Sequence, residues 1–188
     1  MCSGAEVCVQ DACVETCDDC GFEAGNLDVW DTQDLATPFY PLQVASAGAS
    51  STSSLFDCEP TEGTMALVHG FDGDGPGTIE VGQDVTLAPV SVITLSFDYR
   101  AGWNLLSTSS QDRVFRVEVQ PEGGGAPLAT QLVLTAMAGT NTPDTGPKQA
   151  TMDLSAFAGQ TIHLRFVWEV PETFTGPGFF QLDAVSVQ

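Results

Sequence analysis

The sequence predicts an all-β protein, an antiparallel β-sandwich preceded by a short disulfide-rich arm. Three observations lead there. Apolar residues recur at every second position through several segments, the period of a strand with one face in a core and one face polar. Clusters of glycine and proline separate these segments at short intervals, as connections between antiparallel strands require. No segment keeps an apolar period of about 3.6 residues for more than a turn, so helices are not expected.

The first twenty residues, MCSGAEVCVQDACVETCDDC, hold Cys2, Cys8, Cys13, Cys17 and Cys20, and the sixth cysteine is Cys58. An even number crowded into a segment too polar to have its own core reads as a disulfide-stabilised arm, the tail of a Cys-rich repeat, in an oxidising compartment. If all six are oxidised, at least one bridge ties the arm to the rest of the chain. Cys20 with Cys58 is the expected pair, because both flank predicted sheet; the alternative leaves one thiol for another chain. Zinc held by Cys17-x-x-Cys20 is a competing reading, weakened because a zinc ribbon has a second paired half and none is visible.

Residues 21–188 read as one sandwich domain of roughly seven to nine short strands. Residues 21–30 open it. Residues 45–54, ASAGASSTSS, are small and polar without period and predict a loop or a weak edge. Residues 64–71 resume strand character and run into Asp72-Gly73-Asp74-Gly75, a cluster that serves either as a turn or as oxygen ligands for calcium. The bidentate Glu that closes a full calcium loop is missing. Residues 78–87 and 90–101 are strands, the second with Ile93, Leu95, Phe97 and Tyr99 inward and Asp98 and Arg100 outward. Trp103 falls just beyond, in an expected loop. Residues 113–120 alternate Phe115, Val117 and Val119 with Arg116, Glu118 and Gln120. Residues 128–138 form a further strand and 139–147 a loop. In residues 161–170, Ile162, Leu164, Phe166, Trp168 and Val170 alternate with Thr161, His163, Arg165 and Glu169. Pro171 and Gly176-Pro177-Gly178 break the run before a last apolar strand over 179–187.

The order Asp153-Leu154-Ser155-x-Phe157-x-Gly159-x-Thr161, an alternating strand, a Gly-rich loop and a strand carrying Leu182-Asp183-x-Val185 resembles the closing segment of jelly-roll modules on secreted bacterial proteins. Cleaved-adhesin and MAM-like domains and related carbohydrate-binding modules belong to that group. Gly21-Phe22-Glu23 followed by Trp30 is similar to their opening, so the resemblance spans residues 21–188. It implies a structural calcium near the joined chain ends, held by Glu23 and Asp183, with Asp28 and Asp72 as further candidate ligands. Asp183 stands between Leu182 and Ala184, where a carboxylate is costly unless it meets a cation or hydrogen-bond donors. The resemblance also implies an extracellular or cell-surface location and a polysaccharide or surface glycan as partner.

Charge narrows the function further. Twenty-five acidic residues against five Lys and Arg give a formal net charge of −20. Such a surface repels nucleic acid and anionic membranes, and it attracts divalent cations or simply keeps the protein soluble. No apolar run is long enough for membrane insertion and no signal peptide is visible, so the chain reads as a mature form or a piece of a larger protein. Arg100, Arg116 and Arg165 all fall in the polar phase of their strands, with Glu118, Glu169 and His163 in the same phase. Two readings follow: a ladder of ion pairs that solvates one sheet face, or a groove that grips a polar ligand. Trp103 is the candidate platform for a sugar ring or, alternatively, a cap on the core; Trp168 is core.

Catalytic signals are poor. His69 and His163 are the only histidines, no nucleophile elbow is present, and Asp144-Thr145-Gly146 lacks a second copy. The favoured reading is a non-catalytic adhesion or carbohydrate-binding module stabilised by calcium and disulfides. A structural surface or filament subunit that self-associates without a sugar is the alternative. A polysaccharide lyase or glycosidase working through Glu118, Glu169, His163 and Arg165 is a second.

Overall fold

The structure is a computed structural model and describes residues 6–9, 12–15, 17–51, 54–72, 75–173 and 176–188. Its strands are β1 (Glu6–Val9), β2 (Ala12–Glu15), β3 (Asp31–Gln33), β4 (Tyr40–Ser46), β5 (Met65–Phe71), β6 (Gly77–Thr86), β7 (Thr94–Asn104), β8 (Arg113–Pro121), β9 (Ala129–Ala136), β10 (Asn141–Thr142), β11 (Lys148–Asp153), β12 (Thr161–Val170) and β13 (Gly178–Val187). The only helical element among the described residues is a 3₁₀ turn, Ser155–Phe157. No helix of the described residues is long and apolar enough to cross a membrane.

β1 and β2 form a separate hairpin in the arm. The rest make two antiparallel sheets, a six-stranded one ordered β10-β7-β13-β5-β4 with β11 also paired to β7, and a five-stranded one ordered β3-β6-β12-β8-β9. Two-residue alternation decides which side chains lie between them. On β12, Ile162, Leu164, Phe166, Trp168 and Val170 are buried in the main core. They meet Leu95 and Phe97 of β7 and Phe180 and Leu182 of β13 from the facing sheet. Each such side chain contributes about 1.5–3 kcal/mol by leaving water.

The arm's end closes one side of this core. Cys17 and Cys20 are disulfide-bonded and buried with Phe22 and Trp30. Gln83, a polar residue in the inward phase of β6, exchanges two hydrogen bonds with the backbone of Asp18, which satisfies its amide in the interior. The expected Cys20–Cys58 bridge is therefore not formed: Cys20 is bonded to Cys17 and Cys58 is a free, buried thiol. Cys2 lies outside the described residues, and Cys8 and Cys13 are described in backbone alone.

Two segments depart from the sequence reading. β7 continues through Trp103 because β13 and β10 both pair there, opposite Gly178 and Thr142. Gly102 permits this, since any Cβ would run into the Pro143 carbonyl. Residues 148–153, to which the sequence reading assigned no strand, form β11 along the same edge of β7. The small, polar stretch after β4 leads into a loop that folds over the outer face of the six-stranded sheet. Phe56 and Cys58 there join Ala45, Ala66, Val68 and Phe179 in a second apolar cluster. That face is covered along β4, β5 and β13, whereas the outer face of the five-stranded sheet has no such loop over it among the described residues.

Candidate functional site

β12 runs through the middle of the five-stranded sheet, so its outward side chains have neighbours on both sides. The register sets Asp31, Gly82, Arg165, Glu118 and Thr130 in one row across five strands. The row beside it carries Glu80, Val167 and Arg116, and the row on the other side Asp84, His163 and Gln120. Arg116, Glu118, His163 and Arg165 are thus brought together, as the polar phase of their strands predicts.

Their charges interlock. Arg116 donates from Nε to Glu118 at 2.8 Å and from Nη1 to Glu169 at 2.7 Å. Gln120 donates to the second Glu118 oxygen at 2.8 Å, and Arg165 Nη2 lies 2.6 Å from Glu80. Burial works to raise the Glu118 carboxyl, but the bonds from Arg116 and Gln120 and the two guanidiniums outweigh it and hold the group below the usual carboxylate range. Val167 is fully buried on this outward face, among these charged side chains. The ladder reading therefore holds for Arg116, closed on two carboxylates, and in part for Arg165, whose Nη2 meets Glu80 while its Nε has no hydrogen-bond partner among the described residues.

The same face also has a recess. Asp31, Gln33, Glu80, Gly82, His163 and Arg165 line a polar cleft of about 150 Å³. Gly82 makes its floor: a Cβ there would stand 2.7 Å from His163 Nε2 and 2.8 Å from the Leu164 carbonyl. His163 is held by Asp84, with Nδ1 2.9 Å from Oδ1, and its side chain is only 6% exposed. Burial works to raise the Asp84 carboxyl, but the amide of Gly123 and the imidazole lower it on balance. The sequence reading missed Asp31, Glu80, Gly82 and Asp84. The alternation Glu80, Gly82, Asp84 was visible in the outward phase of its segment, but the partner strands that give it meaning lie about 80 residues away for β12 and 50 for β3.

Arg100 and Trp103 do not belong to this site, which corrects their placement in it. β7 lies in the other sheet, and Arg100 there grips Asp144 with Nε at 2.8 Å and Nη2 at 2.6 Å and reaches Glu59 with Nη1 at 2.9 Å. It also covers the Phe56 ring at 4.5 Å, so it fastens the covering loop to its sheet. Trp103 is a strand residue, 9% exposed, whose indole donates to Thr140 Oγ1 at 2.8 Å. Little of the ring is left exposed to meet a sugar.

The expected calcium ligands are engaged otherwise. Asp183 accepts hydrogen bonds from the amides of Thr61, Glu62 and Ala184 and from the Thr61 hydroxyl. Burial raises its carboxyl and these bonds oppose the shift without overcoming it. Glu23 accepts from the amides of Thr64 and Met65 and the Thr64 hydroxyl, which lower its carboxyl below the usual range. The two acids thus hold one connecting segment by its N–H groups. A donor set of amides and hydroxyls does not fit a cation at these oxygens, which would need carbonyls and carboxylates facing them. Asp72 follows β5, at the opposite end of that strand from Met65, and Asp28 is exposed. Among the described residues no group of three or more His, Cys, Asp or Glu is placed to hold a metal. Asp74, in the glycine-rich turn, lies outside the described residues.

No family model matches the sequence, and no curated protein matches it. Solved structures do match in fold. The chain is similar to the carbohydrate-binding module TmCBM61, solved in complex with β-1,4-galactotriose, at 18% identity and a TM-score of 0.57 over 92% of this chain and 97% of that one. It is similar to the K3 cleaved adhesin domain of Lys-gingipain from Porphyromonas gingivalis W83, at 14% identity and 0.52 over 89% and 95%. It is also similar to the Stig cyclase Fisc from Fischerella sp. TAU, at 16% identity and 0.54 over 90% and 93%. The fold is the jelly-roll β-sandwich of carbohydrate-binding modules and cleaved adhesin domains.

Proposed function

We propose that this protein is a non-catalytic, extracellular or cell-surface module that holds a glycan on the outer face of its five-stranded sheet, in the cleft around Gly82. One observation carries the reading: the other sheet is covered by its own loop along β4, β5 and β13, and the five-stranded sheet has an open polar recess over a glycine floor. A fold shared with a module solved on a galactotriose supports the class of ligand. The Fischerella cyclase shows that the same fold also serves chemistry, so the site must decide. On this face Glu118 is held ionised by its guanidinium neighbours, the wrong direction for a proton donor near neutrality. Hydrogen bonds from side chains already locked by the sheet and by ion pairs would bind a sugar without ordering them first.

The test is a glycan array followed by titration calorimetry on wild type, Arg165→Ala and Gly82→Val, with circular dichroism to confirm folding. The reading expects sugar binding that both variants lose by about tenfold or more. A blank array together with concentration-dependent assembly would instead favour a self-associating surface or filament subunit. Binding that survives both substitutions would move the site elsewhere.

A further inference from the structure

The cleft's hydrogen-bonding valences are unevenly distributed, and this specifies its ligand further; the inference rests on the reading of the face as a glycan site. Both guanidiniums are ion-paired, Arg116 with Glu118 and Glu169 and Arg165 through Nη2 with Glu80, while Arg165 Nε has no hydrogen-bond partner among the described residues and lies 4.0 Å from Glu118. A ligand carboxylate or sulfate that approached either fork would meet the carboxylates already paired there. Apart from Arg165 Nε, the groups left over are acceptors. The Asp31 carboxylate has no hydrogen-bond or ion-pair partner among the described residues, and Asp31 lines the recess. Gln33 donates from its amide nitrogen to Thr78, which leaves its carbonyl oxygen. His163 is fixed more tightly. A carboxylate only accepts, so the Asp84 contact sets the ring proton of the neutral imidazole on Nδ1. Nε2 then carries a lone pair, has no partner among the described residues, and lies against the glycine floor of the cleft on a side chain 94% buried.

We infer that this cleft selects a sugar bearing a free amine over its neutral or acidic counterpart. An ammonium brings three donors and no acceptor, which complements a carboxylate, an amide oxygen and an imidazole nitrogen. Charge points the same way. Asp31, Glu80, Asp84, Glu118 and Glu169 around the cleft outnumber Arg116 and Arg165, on a chain of net charge −20. No Phe, Tyr or Trp among the described residues lines the recess, so stacking on such a ring does not compensate a neutral sugar for the lost charge.

The experiment titrates wild type with four probes of equal length: glucosamine oligomers, their N-acetylated form, β-1,4-galacto-oligosaccharides and polygalacturonate oligomers. The glucosamine oligomer should bind about tenfold or more tightly than its N-acetylated form, and polygalacturonate should not bind. Asp31→Asn should erase most of that preference, while Asp98→Asn, on the other sheet, should leave it within about twofold. Equal loss in the two variants would mean diffuse attraction of a polycation to an acidic protein and would overturn the inference. So would a neutral or acidic oligomer that matches the amine while still depending on Arg165, a result that leaves the glycan reading standing. If none of the four binds, that reading falls with it.

Discussion

His69 gives the protein a built-in acid sensitivity that the aromatic core makes measurable. The ring is fully buried between Trp168, at a centroid distance of 4.5 Å, and Phe71 and Phe180, each at 5.7 Å. Neither ring nitrogen has a hydrogen-bond partner among the described residues. Charging it there is costly, and burial pushes its pKa down to about 3. In the unfolded chain the same group titrates near about 6.5. A folded value below the unfolded one means the contribution to stability is fully present above about pH 6.5 and is lost as pH falls toward 3. Over the whole window that amounts to about 5 kcal/mol, and between pH 6.5 and 4.5 to about 2–3 kcal/mol. The assay is urea unfolding followed by tryptophan fluorescence, on wild type and His69→Phe, from pH 7.5 to 4. All other ionisable groups are common to the two proteins, so their effects cancel in the difference. The variant is expected to be the more stable at pH 7, by about 1–3 kcal/mol, because it removes two unpaired nitrogens at similar volume. Its advantage should widen by about 1.4 kcal/mol per pH unit below 6. A difference that stays flat from pH 7 to 4.5 would refute the reasoning, for it would mean the ring has a polar partner or reaches water.

Three further outcomes follow from the same coordinates. Asp183→Ala strips the acceptor from three amides and a hydroxyl in residues 61–62 and 184 and should cost about 2–4 kcal/mol in the same unfolding assay; a loss under about 0.5 would contradict the bonding described. Because Asp183 and Glu23 are satisfied by N–H and O–H donors, the melting temperature should not move when calcium is added or chelated. A rise of several degrees with calcium would show a cation site that this donor set does not account for. Trp103→Ala should cost about 3–5 kcal/mol by emptying a core position, with no change in glycan affinity of the protein that remains folded. Weaker binding by the folded fraction would return Trp103 to the site.

Much of the sandwich was legible because strand periodicity is a local signal. Phe166 and Trp168 could be assigned to the core from their neighbours in sequence, and the same alternation put Arg165 and Glu118 on the opposite side. What alternation does not carry is which strand lies beside which, or in which sheet. Arg100 and Arg165 have the same phase, yet β7 and β12 face each other across the core, so their guanidiniums point away from one another toward opposite surfaces. Cys58 failed as a bridge for a related reason. Its partner depended on how a patternless loop folds, and that loop packs it beneath Phe56 and against the Ala45 carbonyl, with burial foremost in pushing the thiol up to about 11.

The difference between a ladder and a groove was likewise out of reach of sequence, because it turns on one missing Cβ. Every charged side chain in the two readings is the same. With any other residue at position 82, the β-carbon would crowd His163 Nε2 and the Leu164 carbonyl, and the floor between Glu80 and Asp84 would fill. The face would then be a plain lattice of ion pairs, each contributing about 0.2–1 kcal/mol. With glycine there, the imidazole has an edge facing open space, and the lattice around it becomes a frame with guanidiniums already neutralised. A glycine in the outward phase of a strand, flanked two residues away on both sides by carboxylates, is therefore the feature of this sequence on which the proposed binding site rests.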